Sequence, residues 1–381
     1  MDFCRNGAES VIYLDHAATT PVRDEVLKAM LPYFSASYGN ASSGYQLARD
    51  ARRAIDTARG EVAQAVGAKR SEVYFTSGGS EADNWALSGV VSVHPQKRHV
   101  ITTRIEHHAV LNTCAALERR GCEVTYLEVD HLGRVSPESF ARAIRPDTLM
   151  ASVMLANNEV GTIEPVAALA EIAHAHGVLM HTDAVQAVGH IPVDFCRLRV
   201  DLMSISAHKF GGPKGIGALI VRDGVRIDNL IHGGAQERNM RAGTENTPAI
   251  VGMGKALALA VHEMDKTAPR VSRLRDMLEE KLLSMPGVRV NGDRANRLPG
   301  HLHVTIDEAN TMPLLMQLDL SGIAASAGSA CSSGAAERSH VVTAMGISGD
   351  RQADIRFSIG EENTEEEMDA VADTLRRILK R

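Results

Sequence analysis

From about residue 70 to residue 222 the chain alternates short β-branched runs with stretches whose apolar positions recur every three to four residues. The runs predict strands over 72–76, 99–103, 123–127, 149–155, 178–182, 202–206 and 218–221. The periodic stretches predict helices over 80–91, 109–120, 137–144 and 165–176, with turn residues beside them. Alternation of this kind calls for a mostly parallel sheet covered on both faces by helices. Upstream, Ser43 is expected to cap a helix reaching about Val66, with Arg and Asp residues on its outer face.

Beyond about residue 255 the pattern changes. A long charged helix over 255–285 leads to shorter strands near 289–291, 301–306 and 355–359, then to a closing helix through Arg381. This reads as a smaller α+β unit against which the N-terminal segment packs. The expected division is a large domain over 15–257 and a small domain made of 1–14 and 258–381. Residues 324–336 are almost wholly Ala, Ser and Gly around Cys331, so few side chains can be buried there and mobility is expected.

A length of 381 residues suits two domains, and 44% hydrophobic with 23% charged residues is ordinary for a globular chain. The net charge of −6, without a dense basic run, leaves no electrostatic footprint for nucleic acid or an anionic membrane. No apolar stretch approaches the roughly 20 residues of a bilayer helix. The first fifteen residues carry Asp2, Arg5, Glu9 and Asp15 and no apolar h-region, so a cytoplasmic location is expected. Five cysteines without a CxxC pair point to a reducing compartment and give no zinc spacing. Cys114, Cys122 and Cys196 lie in or beside amphipathic patterns and read as small core residues, and Cys4 as part of a loose terminus.

Three segments carry candidate chemistry. Thr76-Ser77-Gly78-Gly79-Ser80-Glu81 links a strand to a helix; it is either a phosphate cradle built from amides and a hydroxyl, or a plain capped turn. The run 178–186 ends its apolar strand in Asp183, at the carboxyl edge where ligands of open α/β sheets bind, with Gln186 three positions on. That aspartate either pairs with a cationic ring nitrogen or caps a helix. In Ser204-Ile205-Ser206-Ala207-His208-Lys209 a strand ends in a lysine, and a partly desolvated amine there suits Schiff-base chemistry. The glycines over 212–217 precede a strand, so they are no dinucleotide fingerprint. Phosphate loop, strand-end acid and lysine in this order describe the parts of a pyridoxal 5′-phosphate site.

The sequence resembles the cysteine desulfurases of the NifS/IscS type, in the class V aminotransferase branch of fold type I. The likeness runs nearly end to end through YLDHAATTP, FTSGGSEADN, TTRIEHHAVL, NNEVGTIEP, HTDAVQAVG, SISAHKFGGPKGIGAL, RAGTEN, SAGSACSSG and IRFSIG. It implies a large domain with a mostly parallel sheet and a smaller α+β domain. It further implies that Lys209 holds the cofactor, with Asp183 on its ring nitrogen and Gln186 on its ring oxygen. Gly79, Ser80, Ser206 and His208 would bind the phosphate, and Thr244 would reach the phosphate of the other subunit of a homodimer. His107 would stack on the ring and move protons, Asn158 would contact the cofactor, and Asn158 and Arg356 would engage the substrate carboxylate. An ordinary ion pair of Arg356 with Asp354 or a glutamate is the sober alternative.

Cys331, alone in its small-residue segment, is where a nucleophile could accept sulfur and carry it outward, which a simple aminotransferase does not need. The implied reaction converts L-cysteine to L-alanine and leaves a persulfide on Cys331 for an iron–sulfur scaffold or sulfur-carrier protein. No resident metal is implied, only a transient iron–sulfur contact through Cys331. A selenocysteine lyase or another class V enzyme is the alternative, and a non-catalytic cofactor-binding protein a third. Two segments depart from the family pattern: NPSSxH reads Asn40-Ala41-Ser42-Ser43-Gly44-Tyr45, and GGGQERG ends in Asn239 after Ala235. His107 and His108 are adjacent and make a poor metal pair; His174 and His176 read as solvated.

Overall fold

The computed structural model describes residues 11–328, 338–349 and 351–380. A short β1 (Ile12–Tyr13) precedes seven strands that build one sheet. These are β2 (Val73–Thr76), β3 (His99–Thr103), β4 (Glu123–Leu127), β5 (Thr148–Ser152), β6 (Leu179–Asp183), β7 (Leu202–Ser206) and β8 (Gly217–Val221). Their order across the sheet is β2-β8-β7-β6-β5-β3-β4. The five strands from β3 to β7 run parallel, and β8 is antiparallel to both β7 and β2. The reversal at β8 follows from its connection: a short segment with one 3₁₀ turn, rather than a crossover helix, joins it to β7.

Helices Gly79–Ser92, His108–Glu118, Pro137–Ala143 and Val166–Ala175 supply the crossovers, within a few residues of the expected bounds. Strand residues alternate between two cores. Ile101, Met203, Ile205 and Ile220 belong to a core shared with helices Gln46–Ala65 and Thr247–Leu283, while Val100, Met150, Leu202 and Leu219 belong to one with Trp85 and Val110. Ser43 is not the cap expected of it: Gln46–Ala65 begins at Tyr45, with no side-chain cap bond. The long helix begins earlier than its charge pattern suggested, because the Asn246 side chain caps Ala249 N and Pro248 occupies the first turn.

β9 (Val288–Asn291), β10 (His301–Asp307) and, after a helix at Thr311–Leu320, β11 (Ile323–Ala324) and β12 (Gln352–Ser358) complete the strands. An antiparallel sheet runs β12-β10-β9, and β11 pairs in parallel with β1. Leu14 is buried in a separate core with Val271, Leu274, Val304, Ile355, Phe357 and Val371, with Ile12 packed against it. The long helix serves both cores: Ala260 belongs to the first, Val271 to the second. Among the described residues no helix is long and apolar enough to cross a membrane. Cys4 and Cys331 fall outside the described residues, and with Cys331 most of the segment expected to be mobile. Cys114 and Cys122 are buried as expected, but Cys196 is exposed on the short Phe195–Leu198 helix rather than in a core.

Candidate cofactor and substrate site

The sheet's carboxyl edge ends on a cavity of about 210 Å³. That volume is below the roughly 300–1,000 Å³ of drug-sized ligand sites and suits one substituted heterocycle. Its lining gathers Gly79, Ser80, His107, Asn158, Asp183, Gln186, Ser206, His208, Lys209 and Arg356, all foreseen from the sequence. Ala17, Ala18, Asp83, Met154 and Val185 complete it. Thr244 is exposed and outside this lining.

At one end, the Gly79–Ser92 helix starts at Gly78 with no side-chain cap bond. The loop is fixed from outside: Glu81 accepts from Ser77 N at 2.8 Å and pairs with Arg241 at 2.9 Å. The turn is therefore not the capped turn weighed above. Its first amides stay available to an anion, with the positive end of the helix dipole behind them. A side chain at Gly79 would place Cβ 2.8 Å from Val185 Cγ2, so any larger residue there would have to displace Val185. Ser206 and His208 close this end. Burial, then the charges of Lys209 and Lys214, push the His208 imidazole down to about 4.

Asp183 ends β6, and its Oδ1 accepts from Val185 N at 2.9 Å; the chain after it turns without forming a helix, so it caps none. Burial raises its carboxyl to about 6, opposed by the Val185 hydrogen bond and the Lys209 charge. Lys209 closes a 3₁₀ turn after β7 and donates from Nζ to the carbonyls of Ala17 at 2.5 Å and Ala18 at 2.9 Å. Gln186 Nε2 donates to the same Ala17 carbonyl at 2.8 Å. The Ala17 amide is itself held by Ser358 Oγ at 2.9 Å, so the second unit positions the peptide that positions the lysine.

His107 caps the His108–Glu118 helix: Nδ1 accepts from Ala109 N at 3.1 Å. That bond leaves the ring proton on Nε2. Burial, then Lys209, His108 and His340, push its pKa down to about 4, so it is neutral at pH 7. His108 turns away and packs its ring against His340, with centroids 4.8 Å apart. Among the described residues no cluster of His, Cys, Asp or Glu could hold a metal ion. His174 is not simply solvated: Nε2 lies 2.8 Å from Asp201 Oδ2.

Arg356 sits on β12 between Ile355 and Phe357, which face the second core, and it reaches the cavity while only 1% exposed. Nη1 donates to Asn158 O at 2.8 Å and Nη2 to Asp15 Oδ1 at 2.7 Å, while Nε is buried without a partner among the described residues. The ion pair weighed above is thus real but involves Asp15. Asp354 instead accepts from Arg338 Nε at 2.6 Å. An unpaired N–H at a cavity wall is what a carboxylate ligand can use.

Sequence reasoning gave no role to Asp15, Ala17, Ala18, Asp83 or Glu106, although each lies inside a motif quoted above or directly beside a residue singled out there. For Asp15, Asp83 and Glu106 the signal was an acid among apolar neighbours, which spacing alone does not distinguish from a surface residue; Ala17 and Ala18 act through backbone carbonyls and left none. Near the ends of the undescribed 329–337, Ser326 pairs with Arg356 through backbone bonds, and Ser339 Oγ donates to Glu159 Oε2 at 2.5 Å.

The donor set fits pyridoxal 5′-phosphate: an amine, a buried strand-end carboxyl and an uncapped helix start share one cavity. Residues 12–371 match the family described as aminotransferase class-V. The chain is 49% identical over 372 residues to the cysteine desulfurase IscS of Methanosarcina thermophila, covering 97% of this chain and 92% of that one. Among solved structures, a NifS-like protein superposes with a TM-score of 0.92 at 39% identity, covering 97% of this chain and 99% of that one. SspA in complex with cysteine superposes with a TM-score of 0.82 at 36% identity, covering 93% of this chain and 100% of that one.

Proposed function

The chain belongs to the class-V aminotransferase family, and from that premise we propose that it is a pyridoxal 5′-phosphate-dependent cysteine desulfurase. The observation that carries the reading is the meeting of Lys209, Asp183 and the uncapped Gly79 helix start on one small cavity. When bound, the cofactor supplies an aldehyde carbon for amines and a conjugated ring that takes up electron density from the substrate's Cα.

The protein's own groups then have distinct tasks. The Gly79 and Ser80 amides, Ser206 and His208 hold the phosphate, and Asp183 holds a proton on the ring nitrogen. Gln186 would donate to the ring oxygen. Lys209 Nζ anchors the cofactor at rest and, once the amine of L-cysteine replaces it, removes the Cα proton. Arg356 and Asn158 grip the substrate carboxylate, which fixes Cα beneath Nζ. His107 Nε2, neutral and facing the cavity, exchanges a proton with the substrate thiol.

Cys331 Sγ attacks the substrate sulfur: an S–S bond forms, the Cβ–S bond breaks, and its electron pair stays on the carbon side. A proton added at Cβ and one returned to Cα from Lys209 complete L-alanine, whose amine would leave as Lys209 Nζ takes its place again, and the persulfide sulfur passes to an acceptor protein, an iron–sulfur scaffold or sulfur carrier. The anchoring of Ser326 and Ser339 beside the cavity supports delivery of Cys331 from the segment between them. The same reading makes the enzyme a cytoplasmic homodimer in which the exposed Thr244 reaches the partner's phosphate site. Alanine and sulfide release from L-cysteine test it, with Lys209→Ala and Cys331→Ala both losing turnover and only Cys331→Ala keeping the cofactor's colour. Turnover surviving in Cys331→Ala contradicts the sulfur-transfer step.

A further inference from the structure

Asp83 lies on the inward face of the Gly79–Ser92 helix, one turn after Gly79, and is 1% exposed. It lines the cofactor cavity, and its Oδ1 has no hydrogen-bond partner among the described residues. Among the described residues His181, on β6, is the one basic group within ion-pair range, with Nε2 3.7 Å from Asp83 Oδ1. That imidazole cannot serve as a counter-ion. It is fully buried between Ser152 Oγ at 2.8 Å and Ser204 Oγ at 3.0 Å, and burial pushes its pKa down to about 3.

The remaining charged groups near Asp83 are two acids and Lys209. Asp183 comes from the end of β6 and Glu106 from the loop after β3, both within electrostatic reach, while Lys209 stands on the same cavity wall. Ser204 links the set: it faces the Asp83 carboxyl, bonds His181, and is the register neighbour of Asp183 across β6 and β7. A buried carboxyl with no counter-ion beside two others cannot ionise cheaply.

We propose that Asp83 is a positioning residue that holds a proton beneath Asp183, leaving Asp183 the one anion presented to the cofactor's ring nitrogen. This rests on Asp183 pairing with that nitrogen, as read above. Burial, then the Asp183 charge, raise the Asp83 pKa against an opposing hydrogen bond from Ser204, in keeping with it. A second anion at this depth would compete with Asp183 for the ring proton and favour protonation of Asp183 itself. Asparagine, neutral and of the same size, should therefore replace Asp83 where alanine should not.

The test compares infrared spectra of the holoenzyme and its Asp83→Asn variant, at neutral pH and at about pH 9. The expected difference is loss of a protonated-carboxyl C=O band; loss of carboxylate bands instead overturns the proposal. Cofactor affinity of the stripped protein is the second readout. Asp83→Asn should stay within about threefold of wild type and Asp83→Ala should weaken by about tenfold or more. Asn as damaging as Ala, or Ala without effect, overturns the proposal; should Ala not fold, the Asn variant and the band decide. Asp183→Asn tests the underlying reading separately: unchanged affinity there removes Asp183's pairing, whereas the missing band still reports the Asp83 proton.

Discussion

Arg356 and Asp15, 341 residues apart in the chain, meet through an Nη2–Oδ1 hydrogen bond of 2.7 Å. The bond joins β12 to the turn after β1, two residues before the Ala17 carbonyl that receives Lys209. Arg356→Lys keeps the charge but loses the planar fork, so kcat/KM should fall about 100-fold, mostly through KM. Asp15→Asn keeps an acceptor oxygen and should lose about tenfold or less. Steady-state kinetics on L-cysteine check both, and an unchanged KM in Arg356→Lys speaks against a carboxylate grip.

Asp183 gives cofactor binding a pH signature. In the cofactor-free protein burial holds this carboxyl near 6, and the ionised form is the one that pairs with a protonated ring nitrogen. As pH falls below about 6 the carboxyl takes up a proton, so affinity weakens by up to about tenfold per pH unit. Asp183→Asn should bind more weakly throughout and lack that slope. Absorbance titrations of stripped protein measure the ratio of the two affinities, in which the cofactor phosphate's own titration cancels.

Glu106 links pH to stability with a definite sign. Its carboxyl accepts from Thr103 Oγ1 at 2.8 Å and Met154 N at 2.9 Å, yet burial raises it from 4.5 to about 8. A raised folded-state pKa gives stability that is full below 4.5 and is lost as pH climbs through about 8. Glu106→Gln removes that loss, so its unfolding midpoint relative to wild type should rise between about pH 5 and pH 9. A difference in midpoint that does not change with pH contradicts this.

The Arg59–Glu237 pair anchors the loop that departs from the family pattern. Arg59 donates to both Glu237 oxygens at 2.7 and 2.8 Å, and Phe75 N donates to Glu237 Oε2 at 2.9 Å. Removing one partner from so buried a pair, as in Arg59→Leu, should cost about 3–5 kcal/mol in urea unfolding. Glu237, Arg238 and Asn239 are consecutively left-handed, with φ of 46°, 59° and 67°. Asparagine tolerates that conformation, so Asn239 in place of the family's glycine leaves the backbone path intact. Asn239→Gly should be nearly neutral, while Asn239→Val should lose about 1–2 kcal/mol.

What could be read from the chain follows a physical divide. The β3–β7 strands and their helices carry strong local periodicity, and their ends fell within a few residues of expectation. The Thr311–Leu320 helix was missed because its apolar positions are spread round it, with Met312, Met316 and Leu320 exposed. Lys209, Asp183 and Gly79 were legible because strand ends and helix starts set their places without long-range knowledge. The contacts that orient them were not: Ala17 to Lys209, Asp15 to Arg356 and Asp83 to His181 join segments distant in the chain. A backbone carbonyl has no sequence signature at all, so Ala17 could be found only in three dimensions.

Lys209 is the residue proposed to carry the cofactor. Borohydride reduction of the holoenzyme followed by peptide mass spectrometry reads this directly. We predict the mass of the reduced cofactor on the peptide containing Lys209 and its loss from that peptide when L-cysteine is added before reduction. The same mass on another lysine, or on none, contradicts it.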